Sequence, residues 1–215
     1  MQDERSEKMY IIVLTGMPAS GKSTFAGKLS TALNLPILEK DSLKETLFDT
    51  LGFENYSQKR KLDHAANALL LSVCESMIKN KRPVILDNNF DSISAQALNT
   101  LLHKYDCECV TVVFGGETDA FYSRYIQRDN LHERHLGHIL QERFPPAPGD
   151  SLDYEMTREE FDNKFVLRGM KDFNCDCQTI ELDATNPEFI DCDAVIAEIC
   201  RRLNISPAQQ RTCSK

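Results

Sequence analysis

Nine residues constrain this chain more than any others: Gly16-Met17-Pro18-Ala19-Ser20-Gly21-Lys22-Ser23-Thr24, directly behind the apolar run 10–14 and opening a stretch of helical periodicity. They fit the spacing G-x-x-x-x-G-K-[ST], and the strand before and helix after are the context that spacing needs. The glycines let the backbone turn tightly, so that successive N–H groups converge on phosphate oxygens at the positive end of a helix. Lys22 is then placed to reach the outer phosphates, and Ser23 to ligate Mg²⁺. A chance glycine-rich turn has no need of Lys22 and Ser23 side by side. The stretch therefore implies that a nucleoside triphosphate binds along residues Gly16, Met17, Pro18, Ala19, Ser20, Gly21, Lys22, Ser23 and Thr24.

The rest of the sequence supplies a scaffold for such a cradle. Short β-branched apolar runs at 10–14, 36–40, 84–87, 109–114 and 178–182 alternate with helical patterns, which predicts five parallel strands in a three-layer α/β/α arrangement. Leu69, Leu70, Val73, Met77 and Ile78 recur at helical spacing across 57–79 and are expected to pack on the sheet. Residues 127–150 break the pattern. They are rich in Arg and His and end in Phe144-Pro145-Pro146-Ala147-Pro148-Gly149, so they predict a mobile lid over the site. A last helix is expected over 187–203, giving one domain over 9–204 between a flexible start (1–8) and a flexible tail (205–215). The polar start and short apolar runs predict neither a signal peptide nor a membrane span, and a cytosolic protein.

Bound triphosphate can be transferred to an acceptor, hydrolysed by a motor, or hydrolysed as a timed switch. The two Asn-Lys pairs lack the Asp of the guanine-reading Asn-Lys-x-Asp, and a motor usually needs additional domains. Transfer to a hydroxyl is thus the expected use. A regulatory ATP-binding module or weak ATPase without an acceptor is the alternative.

Lys40-Asp41-Ser42-Leu43-Lys44 follows the second strand, at the end of an open sheet where ligands bind. Asp41 there can accept the proton of an attacking hydroxyl, or merely cap the helix predicted over 42–51. Val84-Ile85-Leu86-Asp87 is a short apolar strand ending in a carboxylate, so Asp87 is the second expected Mg²⁺ ligand. Asn88 and Asn89 either orient an acceptor or form a turn. Arg124 and Arg128, four apart on a predicted helix, are expected to face the transferred phosphate together, with Arg134 as a further candidate.

In that order these pieces resemble the P-loop kinases, in particular the group containing the kinase domain of polynucleotide kinase, the zeta toxins and chloramphenicol phosphotransferase. The likeness spans roughly 10–200. It implies a P-loop NTPase fold with ATP and Mg²⁺ as cofactors, and a small-molecule, nucleoside or nucleotide-type acceptor. It also implies Asp41 as general base, Lys44 as the residue that meets an acceptor phosphate, and Asp183 and Thr185 near the adenine. Polynucleotide kinase uses Arg where this chain has Lys44, which lacks the bidentate fork. With a net charge of −8, that disfavours a 5′-hydroxyl polynucleotide, since nucleic-acid binding relies on clustered positive charge. Arg134-His135-Leu136-Gly137-His138 resembles an Arg-His-x-Gly-His element of bacterial kinases in this group. With His132 three residues earlier, the histidines either bind metal on one helix face or are solvated parts of the lid.

Eight cysteines in a chain of this size, with no export signal, are expected as free thiols. Cys107-Glu108-Cys109 and Cys175-Asp176-Cys177 precede strands expected to be neighbours, so a four-thiolate zinc site is conceivable. However, C-x-C puts both thiols on one strand face, whereas structural zinc favours C-x₂-C turns, so the expected reading is buried or half-exposed thiols.

Overall fold

The structure, a computed structural model, describes residues 8–90, 92–130, 134–150, 152, 156–167, 170, 173 and 175–207. The elements run β1 (Tyr10–Gly16), α1 (Lys22–Leu33), β2 (Ile37–Glu39), α2 (Lys40–Leu51), α3 (Tyr56–Lys79), β3 (Val84–Asp87), α4 (Ser92–Tyr105), β4 (Glu108–Gly115), α5 (Thr118–Asn130), α6 (Leu136–Ile139), α7 (Arg158–Phe161), β5 (Gln178–Asp183) and α8 (Cys192–Leu203). A π-helical turn, Asp162–Val166, continues α7, and a 3₁₀ turn, Pro187–Phe189, precedes α8. None of the helices among the described residues is long and apolar enough to cross a membrane.

All five strands are parallel, in the order β2-β3-β1-β4-β5. Buried on both faces, β1 reads as a continuous apolar run, as parallel strands do. Its alternation divides the core: Ile12 and Leu14 join Phe25, Leu29, Phe121, Ile196 and Ile199 on the α1, α5 and α8 side. Ile11 and Val13 join Leu70, Cys74, Leu98 and Leu102 on the α3 and α4 side. Because the chain leaves β1 toward β2 and later crosses to β4, the carboxyl end of β1 lies at a topological switch point, where such sheets bind ligands.

Three expectations shift. The buried stripe of α3 is Ala66, Leu70, Cys74 and Ile78, a strict four-residue repeat, whereas Leu69 and Val73 are exposed. The second strand ends at Glu39, and Lys40 and Asp41 lie in the first turn of α2, so Asp41 does not cap it. Helix α5 continues to Asn130, past the break expected at 127.

Candidate active site

Local backbone geometry builds the cradle. Gly16 has φ +128°, and a Cβ there would come within 2.3 Å of the Phe114 carbonyl oxygen, so strand-to-loop passage at this point requires glycine. Gly21, at φ +89°, opens α1. Lys22 is buried and folds back along the loop: its Nζ donates to the carbonyls of Met17 (2.6 Å) and Gly16 (3.3 Å) and to Ser20 Oγ (3.2 Å). Burial pushes its pKa down to about 8, against the opposing pull of Asp87 and Asp41.

Ser23 Oγ donates to Asp87 Oδ2 at 2.8 Å and lies 3.4 Å from Glu39 Oε1. Glu39 and Asp87 are register partners across β2 and β3, which brings their carboxylates together at the strand ends. Burial raises Asp87 to about 6. A hydroxyl and two carboxylates form an all-oxygen donor set of the kind a hard divalent cation takes. The residues present thus fit Mg²⁺, with Glu39 a candidate ligand that sequence reading missed. Its signal was a second carboxylate at a neighbouring strand end.

The cradle opens into a cavity of about 660 Å³ whose wall includes Asp41, Lys44, Lys59, Asn88, Asn89, Arg128, Arg134, His138 and Lys164. The half-buried Asp41 carboxylate makes no hydrogen bond among the described residues. Burial works to raise its pKa, but His138, Lys44, Arg134 and Lys40 outweigh it and hold the group below its ordinary value. Asp63 binds Lys40 (3.1 Å) and Lys44 (3.0 Å), which fixes both lysines beside Asp41. Half-buried Arg134 pairs with Asp129 at 2.9 Å and lies over the Tyr125 ring. Arg128 Nε is buried with no hydrogen-bond partner among the described residues. Asn88 is buried, with Nδ2 3.4 Å from Asn67 Oδ1.

Arg124 departs from expectation. Its Nε donates to the Ala19 carbonyl (2.9 Å), and its two Nη groups to the carbonyls of Thr185 (2.7 Å) and Ala184 (2.9 Å). It lies outside the cavity wall and clamps the cradle to the loop after β5, because three carbonyls converge on its fork. Asp183 and Thr185 also lie outside the main cavity. Asp183 Oδ1 accepts from Thr185 N (2.9 Å) and Thr185 Oγ1 accepts from Glu117 N (3.0 Å), so both shape the turn that Arg124 grips.

The described part of the predicted lid is docked on α2. His135 Nδ1 accepts from Gly137 N, and its Nε2 pairs with Asp49 Oδ1 at 2.9 Å. His138 is buried, not solvated, and Nε2 sits 2.9 Å from Glu45 Oε1. Gly137 lies so close to Phe48 that a Cβ would meet its ring at 2.3 Å. Each histidine thus makes a packing contact rather than offering a metal site, and His132 lies outside the described residues. Lys59, also missed by sequence reading, crosses from α3 to donate to the carbonyls of His138 and Leu140 and to Gln141 Oε1. Burial, aided by Lys164, Lys44 and Arg134, pushes its pKa down to about 6.

A loop of phosphate-cradle spacing at the switch point of a five-stranded parallel sheet, beside a cavity walled by α2, α3 and the segment beyond α5, gives the chain the P-loop kinase fold. Within it, the profile of the AAA domain family matches residues 11–146, and the chain belongs to that family. A candidate kinase from Chloroflexus aurantiacus j-10-fl has the same fold, with a TM-score of 0.69, 22% identity, and coverage of 93% of this chain and 98% of that one. A gluconokinase from Sinorhizobium meliloti 1021 shares it at a TM-score of 0.51 and 15% identity, covering 92% and 93%. Kti12 from Chaetomium thermophilum, in complex with ADP-AlF3, shares it at 0.52 and 21%, covering 90% and 98%. At these identities the likeness is one of fold. No curated protein matches the sequence.

Proposed function

We propose that this chain is an ATP-dependent kinase that transfers the γ-phosphate to a hydroxyl of a small acceptor carrying an anionic group. The observation that carries the reading is Asp41, a carboxylate with no hydrogen-bond partner among the described residues, in the same cavity as the cradle. Cations already hold it ionised, so it can accept the acceptor's proton at neutral pH.

Lys22 exchanges the Gly16 and Met17 carbonyls for β- and γ-phosphate oxygens. Ser23, Asp87 and Glu39 would hold Mg²⁺, which when bound neutralises charge on the β- and γ-phosphates. Arg128, with a buried unpaired donor, is placed to meet the charge that spreads over the transferred group. Arg124 acts as a positioning residue by fixing Ala19 against the loop after β5, and Asp183 and Thr185 brace that loop near the expected adenine.

The acceptor's anion is inferred from an imbalance of partners. Lys44, Arg134 and Lys59 are committed to Asp63, Asp129 and main-chain carbonyls. Lys164 faces the same cavity and makes no hydrogen bond or ion pair among the described residues. A half-buried ammonium that faces the Phe165 ring at 5.3 Å and makes no ion pair among the described residues favours an anionic ligand.

The test is transfer from γ-labelled ATP, with Mg²⁺, to a panel of sugar and nucleoside alcohols, each with and without a phosphate or carboxylate, and to 5′-hydroxyl oligonucleotides. Lys22→Ala serves as the blank. Labelled product confined to anionic small acceptors is the expected result. Label on neutral alcohols alone removes the anion, and tight ATP binding with no label on any acceptor removes the kinase in favour of a regulatory module.

A further inference from the structure

The four-thiolate arrangement conceivable from sequence does not form, but three of its members converge. Among the described residues, the Sγ atoms of Cys109, Cys175 and Cys177 lie within 4.8 Å of one another. Cys107 points elsewhere, its Sγ 3.5 Å from the Glu108 carbonyl. Cys109 belongs to β4 and faces the α3 and α4 layer, while Cys175 and Cys177 come from the segment entering the edge strand β5. Cys109 and Cys175 are buried and Cys177 is half-buried.

This convergence is supported from outside the thiols. Asp176, between the two cysteines, is held from α4 on both its backbone and its side chain: its N–H donates to Asn99 Oδ1 at 2.9 Å, and Oδ2 meets His103 Nε2 at 2.8 Å. Those two bonds orient Cys175 and Cys177 toward the sheet. Thr111 Oγ1, on the same face of β4, lies 3.1 Å from Cys175 Sγ. Cys175 and Cys177 are 2.9 Å apart, sulfur to sulfur.

We propose that Cys109, Cys175 and Cys177 form a binding site for one thiophilic d¹⁰ cation, zinc(II) or copper(I), at the end of the sheet opposite the phosphate cradle. Thiolate sulfurs at about 2.3 Å from such an ion stand roughly 3.8–4.0 Å from each other. The observed cluster reaches that geometry if Cys177, the least buried of the three, swings out by about 1 Å. A disulfide would use two sulfurs and leave the third without a purpose, whereas trigonal thiolate coordination uses all three. Copper(I) is satisfied by three soft ligands, and zinc would add a water at the half-buried Cys177 side. On binding, each thiol that is still protonated releases its proton to solvent as its sulfur donates to the metal, with no change of oxidation state. The ion would tie β4 to the segment that connects the Lys164 wall of the cavity with β5.

The test uses the full chain, purified under reducing conditions without chelator and freed of any affinity tag. Metal content is measured directly. Cobalt(II) is titrated as the zinc probe, and copper(I) is titrated anaerobically against a chromophoric chelator. One equivalent of metal, with a thiolate-to-cobalt charge-transfer band or chelator-competitive copper(I) binding, is expected. The signal should vanish in Cys109→Ser and Cys175→Ser and survive in Cys107→Ser and Cys192→Ser. In the wild type, bound metal should protect three thiols from alkylation, a readout that needs no variant to fold. Absence of both ions together with no band on titration overturns the proposal. So does a band that persists in the Cys109→Ser/Cys175→Ser double variant, or a Cys175–Cys177 disulfide as the resting state of the reduced preparation.

Discussion

The two halves of the cavity are built by different means. The cradle is a backbone device of nine consecutive residues, and its geometry depends on glycine at Gly16 and Gly21 and on one helix end. The half proposed to take the acceptor is a side-chain device, assembled from α2, α3, the α6 segment and the π-helical turn after α7. It is held by ion pairs such as Lys44 with Asp63 and by the packing of His135, Gly137 and Phe144 around Phe48. A contiguous backbone site tolerates change elsewhere, whereas a site pinned by long-range pairs transmits a disturbance from any of its elements. Substitutions should therefore divide into those that alter phosphate handling and those that alter only acceptor handling.

The sharpest division is expected at Asp41. Asp41→Asn keeps the size and removes the base, so kcat should fall by about 10²- to 10⁴-fold while the ATP dissociation constant stays unchanged. Rapid-quench kinetics alongside nucleotide titration would check it. Loss of ATP affinity to the same degree would mean that the two halves are not separable.

The next effect is one of packing. In Gly137→Ala the new methyl meets the Phe48 ring at 2.3 Å, and overpacking of this kind costs about 1–3 kcal/mol. Gly137 lies between His135 and His138, so the strain should shift His138 from Asp41 and raise the acceptor KM. Thermal unfolding and steady-state kinetics would show a lowered Tm and an intact ATP affinity. A wild-type Tm would mean that the α6 segment moves away from α2 at no cost.

The same contrast explains what could be read from the sequence. The loop that follows β1, the five strands and the place of Asp87 at a strand end were legible because each rests on a local pattern: a loop spacing, a β-branched run, a strand ending in a carboxylate. The contacts of Arg124 were not legible because four-residue spacing places two side chains on one face without revealing the carbonyls of Ala19, Ala184 and Thr185 that meet one of them. The α3 stripe was displaced for a similar reason, since hydropathy favours Leu69 and Val73 over the smaller Ala66 and Cys74 that the sheet admits. Lys59 and Lys164 carry no sequence signal. A lysine on a helix is ordinarily solvated, and only the closure of distant segments buries Lys59 and half-buries Lys164.

Asp87 offers a third, smaller test, with activity and stability moving in opposite directions. Burial raises its pKa from 3.8 to about 6, so above pH 6 the apo protein holds an ionised carboxylate where the neutral form is favoured. Because the folded value exceeds the unfolded one, this cost is present above pH 6 and disappears as pH falls toward 4. Asp87→Asn should thus abolish transfer yet stabilise the metal-free protein at pH 8 by up to about 3 kcal/mol, with the gain gone near pH 4. Chemical denaturation in chelator at both pH values measures it. A loss of stability at pH 8 would show instead that Lys22 depends on Asp87 as its counter-charge.

The smallest effect belongs to Lys164, whose pKa is pushed down to about 8 by burial, with Lys44 and Arg134 adding to the push. Below pH 8 it is a cation facing the acceptor, and above pH 8 it loses that charge. The acceptor KM should therefore rise with pH above 8, by at most tenfold per unit, whereas Lys164→Gln should show a raised KM that is flat across the same range. Lys22 titrates in the same region, but bound triphosphate restores its charge, and its loss would appear in the ATP KM instead. The two profiles can therefore be compared on one preparation. If both KM values rise together in the wild type and stay together in Lys164→Gln, the pH dependence belongs to the cradle. If only the acceptor profile moves and the substitution flattens it, the anion is bound on the Lys164 side of Asp41, and phosphate handling and acceptor handling are chemically distinct halves of one cavity.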